Sequence, residues 1–343
     1  MEKIDLLRNL VSFNTISDKE NQEILDFIEE FLTNLGFVTE EKKKYLIMSY
    51  GDDPSLGFIG HSDTVEFVDG WDSDPHTLTE KDGMLYGLGA CDMKGGIASF
   101  LMALQNTDLK RIKKGIKVYI TYDEEKELTG IKEIVSTGEQ FPEYTIFGEP
   151  TNNVTFTACK GLFSFTLRTK GIKVHSSTPN KGRSAISSML KILTELEEFY
   201  ANSIQVEKND LYEVPYTTMN IGLISGGSAV NSVAAECSSY VDFRIVDADH
   251  ITRIKEKLEE LCSKNYGSYE VDLEIPSFEN DIEFIPEKKS AGYMTEASFV
   301  SHSKRMILGP GPETPHEINE HISIESYTKT IEQYQNLIEK ICK

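Results

Sequence analysis

Long apolar runs are absent from this sequence of 343 residues. None of its apolar stretches approaches the roughly 18 residues that a membrane-spanning helix needs. The segment Met1 to Ser17 mixes charged side chains with apolar ones, which predicts an amphipathic helix and leaves no uncharged core for a secretory signal peptide. We therefore expect neither a membrane span nor a signal sequence.

Cysteine and basic residues are also scarce. The five cysteines are scattered and form no Cys-x-x-Cys pair, which favours a reducing, cytoplasmic compartment over a disulfide-stapled secreted fold. The 35 lysines and arginines stand against 56 acidic residues, so the net charge is −21. Such a charge repels phosphate backbones and anionic membranes, and we expect neither nucleic acid nor a membrane surface as a partner.

The length of the chain predicts about two globular domains. Up to residue 157, predicted strands alternate with helices, which indicates an α/β layer with a largely parallel sheet. The order βαββαβ between Phe156 and Ile275 is that of a ferredoxin-like unit. We predict an outer α/β domain of residues 1–157 and 278–343, with an inserted ferredoxin-like domain of residues 158–277.

A glycine-rich stretch from Tyr86 to Gly96 presents one carboxylate, Asp92, and then opens into a predicted helix. Other groups that bind cations follow predicted strands of the outer domain: His61, Asp63, Glu124, Glu125 and Glu149. Because ligands of open α/β sheets sit beyond the carboxyl ends of the strands, we expect these groups to converge there. His316, in the loop between residues 310 and 320, is placed to join them from the C-terminal segment.

The residue types point to a zinc centre. Zinc takes imidazole and carboxylate ligands, and two ions about 3.5 to 4 Å apart need a bridging carboxylate. Asp92 suits the bridging role because Gly87 and Gly89 let the backbone approach closely. Taken singly, each group has an ordinary alternative, such as a surface histidine or a solvated acidic run, and only the combination predicts a site.

Two local spacings suggest how the site is supported. Asp63 lies two residues beyond His61, so its carboxylate is expected to hold the second imidazole nitrogen. Glu124 and Glu125 are neighbours in an extended segment and point apart. One of them is then a metal ligand, and the other is free to act as a base.

Five motifs in this order resemble the co-catalytic zinc aminoacylase and peptidase family, which includes acetylornithine deacetylases, succinyl-diaminopimelate desuccinylases and glutamate-releasing carboxypeptidases. They are Gly60 to Val65, Tyr86 to Gly96, Asp123 to Glu125, Gly148 to Thr151, and His316 to Glu320. The resemblance covers essentially the whole chain. It implies a zinc-peptidase-like catalytic domain with a mostly parallel mixed sheet flanked by helices, and an inserted lid and dimerisation domain.

The resemblance also implies two zinc ions per chain, with cobalt as a substitute. One ion would be held by His61, Asp92 and Glu149. The other would be held by Asp92, Glu125 and His316. Glu124 would be the general base that takes a proton from the attacking water, with Asp63 supporting the site.

Three lid residues receive roles from the same resemblance. His175 would reach across a homodimer to the partner's scissile carbonyl, and Asn231 and Arg244 would bind the substrate, the guanidinium pairing with a carboxylate. Each has a simpler alternative. His175 and Asn231 would then only shape turns, and Arg244 would pair with Asp242 or Asp247 on a solvated face.

Local features narrow the expected substrate. Leu88, the segment Thr295 to Ala297 and the segment Leu308 to Gly311 resemble the acetylornithine deacetylase branch. Glu296 would attract a cationic side chain and repel a succinyl group. We expect a metal-dependent amidohydrolase of N-acyl amino acids, with N2-acetylornithine as first choice and a place in arginine biosynthesis. The alternatives are a succinyl-diaminopimelate desuccinylase, an acetylcitrulline deacetylase, a dipeptidase, and a non-catalytic metal-binding relative.

Overall fold

The computed structural model describes residues 1–17, 21–311 and 315–343, so Pro312 to Thr314 of the loop before His316 lie outside the described residues. The chain forms two compact units. The first consists of Met1–Thr157, Asn280–Pro286 and Phe299–Lys343. The second consists of Ala158–Glu279 and Glu287–Ser298.

The helices and strands follow one another along the chain as listed in this paragraph. The α-helices of the described residues are α1 (Lys3–Ser12), α2 (Gln22–Asn34), α3 (Lys94–Asn106), α4 (Thr129–Ser136), α5 (Ala185–Phe199), α6 (Asp249–Lys264) and α7 (Ile324–Cys342). The strands are β1 (Val38–Lys42), β2 (Leu46–Tyr50), β3 (Pro54–His61), β4 (Thr79–Lys81), β5 (Met84–Tyr86), β6 (Gly115–Thr121), β7 (Tyr144–Phe147), β8 (Ala158–Cys159), β9 (Gly161–Lys170), β10 (Thr218–Gly226), β11 (Glu236–Ile245), β12 (Gly267–Ile275), β13 (Phe278–Glu279), β14 (Ser290–Ala291), β15 (Lys304–Ile307) and β16 (His321–Ser323).

A six-stranded sheet in the order β1-β2-β6-β3-β7-β15 forms the centre of the first unit. Strands β6, β3, β7 and β15 pair in parallel, whereas β1 and β2 add an antiparallel edge. The predicted mostly parallel mixed sheet is confirmed. Helix α3 lies against β3, α1 and α7 and is buried from Lys94 to Leu104, as expected for a helix that is apolar on all sides.

The second unit contains an antiparallel sheet in the order β10-β11-β9-β12. Strand β11 alternates regularly between buried and partly exposed residues, which gives the sheet one apolar face. The buried side chains of α5 and α6 pack on that face, with Leu196 and Leu258 among them. The ferredoxin-like βαββαβ order is therefore confirmed.

Three sequence assignments differ from the structure. The predicted strand from Phe156 to Thr169 is divided into β8 and β9, because β8 pairs with β13 and β14 in a separate small sheet. The same pairing draws Glu287–Ser298 into the second unit, whereas the sequence assigned those residues to the outer domain. Strand β1 was missed because it is an edge strand of sequence VTEEK with no buried residue to mark a periodic face.

No helix within the described ranges is long and apolar enough to span a bilayer.

Candidate metal centre

The carboxyl ends of three parallel strands supply most of the predicted ligands. His61 is the last residue of β3, Glu125 follows β6 and Glu149 follows β7. His316 comes from the segment after β15, and Asp92 lies two residues before the start of α3. Since parallel strands end at one edge of the sheet, the fold brings these five side chains together.

Asp92 lies between the two histidines and presents a different oxygen to each. Its Oδ1 is 3.2 Å from Nε2 of His61, and its Oδ2 is 3.3 Å from Nε2 of His316. A carboxylate that serves two separate imidazoles in this way has the arrangement of a bridge between two ions.

The remaining carboxylates lie one on each side of that bridge. Oε2 of Glu149 is 4.0 Å from Nε2 of His61, and Oε2 of Glu125 is 3.1 Å from Nε2 of His316. Ligands bound tetrahedrally to zinc at about 2.1 Å are separated by roughly 3.4 Å, which is close to these spacings. One donor atom each of His61, Asp92 and Glu125 lie within 4.8 Å of one another, which suits a metal ion. Glu149 and His316 extend this set on either side, and the division of the five ligands between two ions stays a prediction.

His61 is oriented by Asp63, though by a different atom from the one predicted. Nδ1 of His61 is 3.0 Å from the backbone carbonyl oxygen of Asp63 and 3.6 Å from its carboxylate Oδ1. A proton held on Nδ1 by that carbonyl leaves Nε2 to bind a cation. The carboxylate instead accepts hydrogen bonds from the Glu124 and Glu125 backbone N–H groups and from the Ser17 hydroxyl. Asp63 thus joins the His61 strand end to the acidic turn.

The acidic turn is fixed by its own backbone. Asp123 has φ of +59° and Leu128 has φ of +54°, and the Leu128 N–H donates to the Asp123 carbonyl at 2.7 Å. The Thr129 hydroxyl donates to the Asp123 carboxylate. Glu124 is half-buried on this turn, and its role as a base stays a prediction.

Glycine shapes the loop that presents Asp92. Gly89 has φ of +77°, and a Cβ atom there would come within 2.8 Å of Cγ2 of Thr64. Only glycine fits both the backbone conformation and the space. The peptide bond between Asp92 and Met93 is cis.

The charges at the centre support one another. Burial alone would lower the pKa of His61, but the Asp63 and Asp92 carboxylates outweigh it and hold that pKa well above its usual value. Hydrogen bonds to the Asp92 and Glu125 carboxylates raise the pKa of His316 to about 10. Burial favours protonation of Asp92, yet contact with His316 and His61 keeps the Asp92 pKa below its usual value. The carboxylates of the cluster therefore favour a positive charge at the two histidines, either as a bound proton or as a metal ion beside the imidazole.

Sequence reasoning gave no role to two buried charged groups beside the centre. Glu320 is 2% exposed, and burial raises its pKa to about 7. Lys94 is 1% exposed and donates from Nζ to the backbone carbonyl of Phe13 at 2.7 Å, and burial lowers its pKa to about 7. Both residues lie inside motifs that carry the family resemblance, and this position was the one sign in the sequence that they belong to the site.

The second unit places the predicted catalytic residue His175 beside the predicted substrate-binding residue Asn231. The backbone N–H of Ser176 donates to the carbonyl of Asn231 at 2.9 Å, so the His175 turn lies against the Asn231 turn. Nδ1 of His175 accepts a hydrogen bond from the Ser177 backbone N–H at 3.2 Å. Oγ of Ser177 lies 2.7 Å from the same nitrogen, so Ser177 holds the imidazole through Nδ1.

Arg244 and Glu296 also belong to the second unit. Nε of Arg244 donates to Asp242 at 3.3 Å, and 42% of the arginine side chain is exposed. Glu296 begins a short 3₁₀ turn and is buried. Their roles toward a substrate stay predictions.

Comparison with known proteins identifies relatives in sequence and in fold. Residues 157–270 match the family described as the peptidase dimerisation domain. The acetylornithine deacetylase of Pasteurella multocida is 33% identical over 353 residues, which cover 95% of this chain and 92% of the relative. The aminopeptidase PepT from Bacillus cereus superposes with a TM-score of 0.81 at 22% identity, covering 99% of this chain and 98% of its own. The YXEP protein of Bacillus subtilis, a dinuclear metal-binding peptidase, superposes with a TM-score of 0.74 at 13% identity, covering 99% and 97%.

Proposed function

This chain belongs to the M20 peptidase family and is a hydrolytic enzyme, and we propose that it removes the acetyl group from N2-acetylornithine with the help of two zinc ions. The observation that carries the proposal is the position of Asp92, whose two oxygens face the two histidines at 3.2 and 3.3 Å. Two-ion centres of this kind suit hydrolysis of an amide.

The metal ions have an identifiable set of ligands. His61, Asp92 and Glu149 would hold one ion, and Asp92, Glu125 and His316 the other. When bound, the ions would polarise the amide carbonyl and lower the pKa of a water molecule. Cobalt(II) accepts the same imidazole and carboxylate ligands and would substitute for zinc.

The side chains around the ions supply the proton transfers. Glu124, held by its backbone N–H against Asp63, takes the proton of the attacking water and returns it to the departing amine nitrogen. His175 stabilises the oxyanion that forms from the carbonyl by donating a hydrogen bond to it, and the proton stays on the imidazole. Asp63 keeps His61 oriented throughout.

The choice of acetylornithine rests on chemistry and on the named relative. Glu296 provides a carboxylate for the cationic side chain of ornithine, and Arg244, assisted by Asn231, provides a guanidinium for its α-carboxylate. The name of the relative from Pasteurella multocida, acetylornithine deacetylase, supports an acetyl group on ornithine. A place in arginine biosynthesis is part of the proposal. Succinyl-diaminopimelate, acetylcitrulline and simple dipeptides remain the competing substrates.

A homodimer through the second unit is part of the proposal. Strand β10 is an edge of its sheet, and its Leu223 and Ile224 are 70% and 55% exposed. Leu190 of α5, a helix that packs on the same sheet, is 54% exposed. An open strand edge with apolar side chains is a template for pairing with a second copy. The match to the peptidase dimerisation domain supports this choice of surface.

We also propose that the enzyme works in the cytoplasm. All five cysteines lie in the described part of the chain, where they are buried and form no disulfide. Free thiols suit a reducing compartment.

The proposal is tested with a substrate panel on zinc-reconstituted enzyme: N2-acetylornithine, acetylcitrulline, succinyl-diaminopimelate and dipeptides. We expect N2-acetylornithine to have the highest kcat/KM and chelation to abolish turnover. A higher kcat/KM for any other compound would reassign the substrate within the family. Fewer than one tightly bound divalent ion per chain, with no hydrolysis after zinc or cobalt is added, would favour a non-catalytic relative.

A further inference from the structure

We infer that Glu320 is a positioning residue that fixes the bridging carboxylate of Asp92 relative to His316, and that it thereby controls the affinity of the ion shared by Asp92, Glu125 and His316. This inference rests on the two-ion centre of the proposed function. It concerns a residue that touches neither the ions nor the substrate in that proposal.

The Glu320 carboxylate accepts three hydrogen bonds from the backbone of the Asp92 loop. Oε2 accepts from the N–H of Gly89 at 3.0 Å, and Oε1 accepts from the N–H groups of Cys91 and Asp92 at 2.7 and 3.0 Å. The backbone carbonyl of Glu320 also accepts from the Gly87 N–H at 2.9 Å. A buried anion that satisfies successive backbone donors holds the loop in one conformation.

Glu320 lies only four residues after His316, so it ties two ligand segments that are far apart in sequence. Strand β16 begins at His321 and pairs with Tyr86 of β5, which fixes the segment beyond Glu320. Asn319 exchanges two hydrogen bonds with Asp72, at 2.9 and 3.1 Å, which fixes the segment before it. A displacement of Glu320 would therefore change the distance between Asp92 and His316.

The two ions should respond differently to loss of this tie. Two of the three ligands of one ion, Asp92 and His316, are in segments that Glu320 joins. For the other ion, His61 ends strand β3 and Glu149 follows β7, so the central sheet holds both of them. Groups that orient metal ligands typically contribute roughly 10- to 100-fold in metal affinity.

The test uses the full chain with E320Q, and E317Q as the matched control, since Glu317 is exposed and lies in the same segment. A glutamine keeps the size of the side chain but presents an NH₂ group to one of the backbone donors. Cobalt titration is followed by visible absorption. We expect E320Q to bind the ion at Asp92, Glu125 and His316 roughly 10- to 100-fold more weakly than the wild type, with a smaller loss of affinity for the ion at His61, Asp92 and Glu149. E317Q should match the wild type.

Hydrogen exchange of the metal-free protein gives a readout that needs neither metal nor substrate. The peptide covering residues 86–96 should exchange faster in E320Q than in the wild type or E317Q, while peptides from the second unit should not change. If E320Q does not fold, E320D, which keeps the charge one methylene shorter, undergoes the same measurements.

Two results for E320Q would overturn the inference. One is wild-type affinity for both ions, and the other is an equal loss of affinity for both ions together with faster hydrogen exchange throughout the protein. Failure of the proposed function is distinguishable, because it would appear as wild-type enzyme that binds two ions and hydrolyses none of the panel. The titration and the exchange experiment keep their meaning in that case.

Discussion

Gly96 lies directly against the backbone of Gly148, and a Cβ atom added to Gly96 would come within 1.9 Å of the Gly148 carbonyl oxygen. This contact seats the first turn of α3, which follows Asp92, against the end of β7, which precedes Glu149. Because the obstacle is backbone, it cannot rotate away. Close approach at these two glycines therefore sets the separation between two ligands of one predicted ion.

Gly96→Ala is expected to lower the affinity for the ion that Asp92 and Glu149 would share. It should also destabilise the fold by about 1 to 3 kcal/mol, since helix α3 must move away from the end of β7. Thermal unfolding and metal analysis of the purified variant check both effects. Gly292→Ala is the control, because no heavy atom of the described residues, apart from Gly292 and its two chain neighbours, lies within 4 Å of a Cβ there. Wild-type metal content in Gly96→Ala would show that the contact does not set the ligand geometry.

Glu124→Gln is expected to lower kcat by roughly 10²- to 10⁴-fold, because an amide cannot accept the proton of the attacking water. Metal content should stay at the wild-type level, since Glu124 is not among the predicted ligands. Steady-state kinetics on the best substrate, together with metal analysis, provide the measurement. Glu127→Gln removes an exposed charge three residues away and should have little effect. Near-normal turnover of Glu124→Gln would refute its role as the base.

The grouping of the candidate ligands was easier to predict from the sequence than the residues that support them. His61, Glu125 and Glu149 follow strands whose apolar residues mark them clearly, and the rule that ligands sit at strand carboxyl ends was enough to group them. Glu320 escaped notice because its place depends on β5 and β16. These strands have three residues each, too few to show any periodicity.

The same limit explains the errors in the fold. Helices α5 and α6 are long and amphipathic, so the ferredoxin-like unit was predictable from its apolar periodicity. Segment Glu287–Ser298 joins the second unit through the two-residue strand β14, which pairs with β8 from more than a hundred residues earlier. Pairings that short and that distant leave no local pattern to detect.

Glu296→Gln is expected to lower kcat/KM for N2-acetylornithine by roughly 10- to 100-fold, the worth of a hydrogen bond between charged groups. The kcat/KM of the same variant for N-acetylnorvaline, a substrate that lacks the side-chain amine, should fall only slightly. Kinetics on the two substrates measure the ratio directly. Glu287→Gln is the control, because Glu287 is exposed and pairs only with Lys289 among the ion pairs of the described residues. Equal losses on both substrates would show that Glu296 serves the fold and does not select the side chain.

His175 acting across a dimer predicts that two inactive variants restore each other. Glu124→Gln lacks the base, and His175→Ala should lose roughly 10²- to 10³-fold in kcat as an oxyanion donor is removed. In a heterodimer, the His175→Ala chain keeps its own Glu124 and receives His175 from its partner, so about half of the wild-type activity should return. Two affinity tags isolate the heterodimer, and light scattering verifies its mass. A heterodimer of Glu124→Gln with the wild-type chain is the control that sets the half-activity level. If the heterodimer of the two variants were no more active than the variant homodimers, His175 would act in the site of its own chain or outside catalysis.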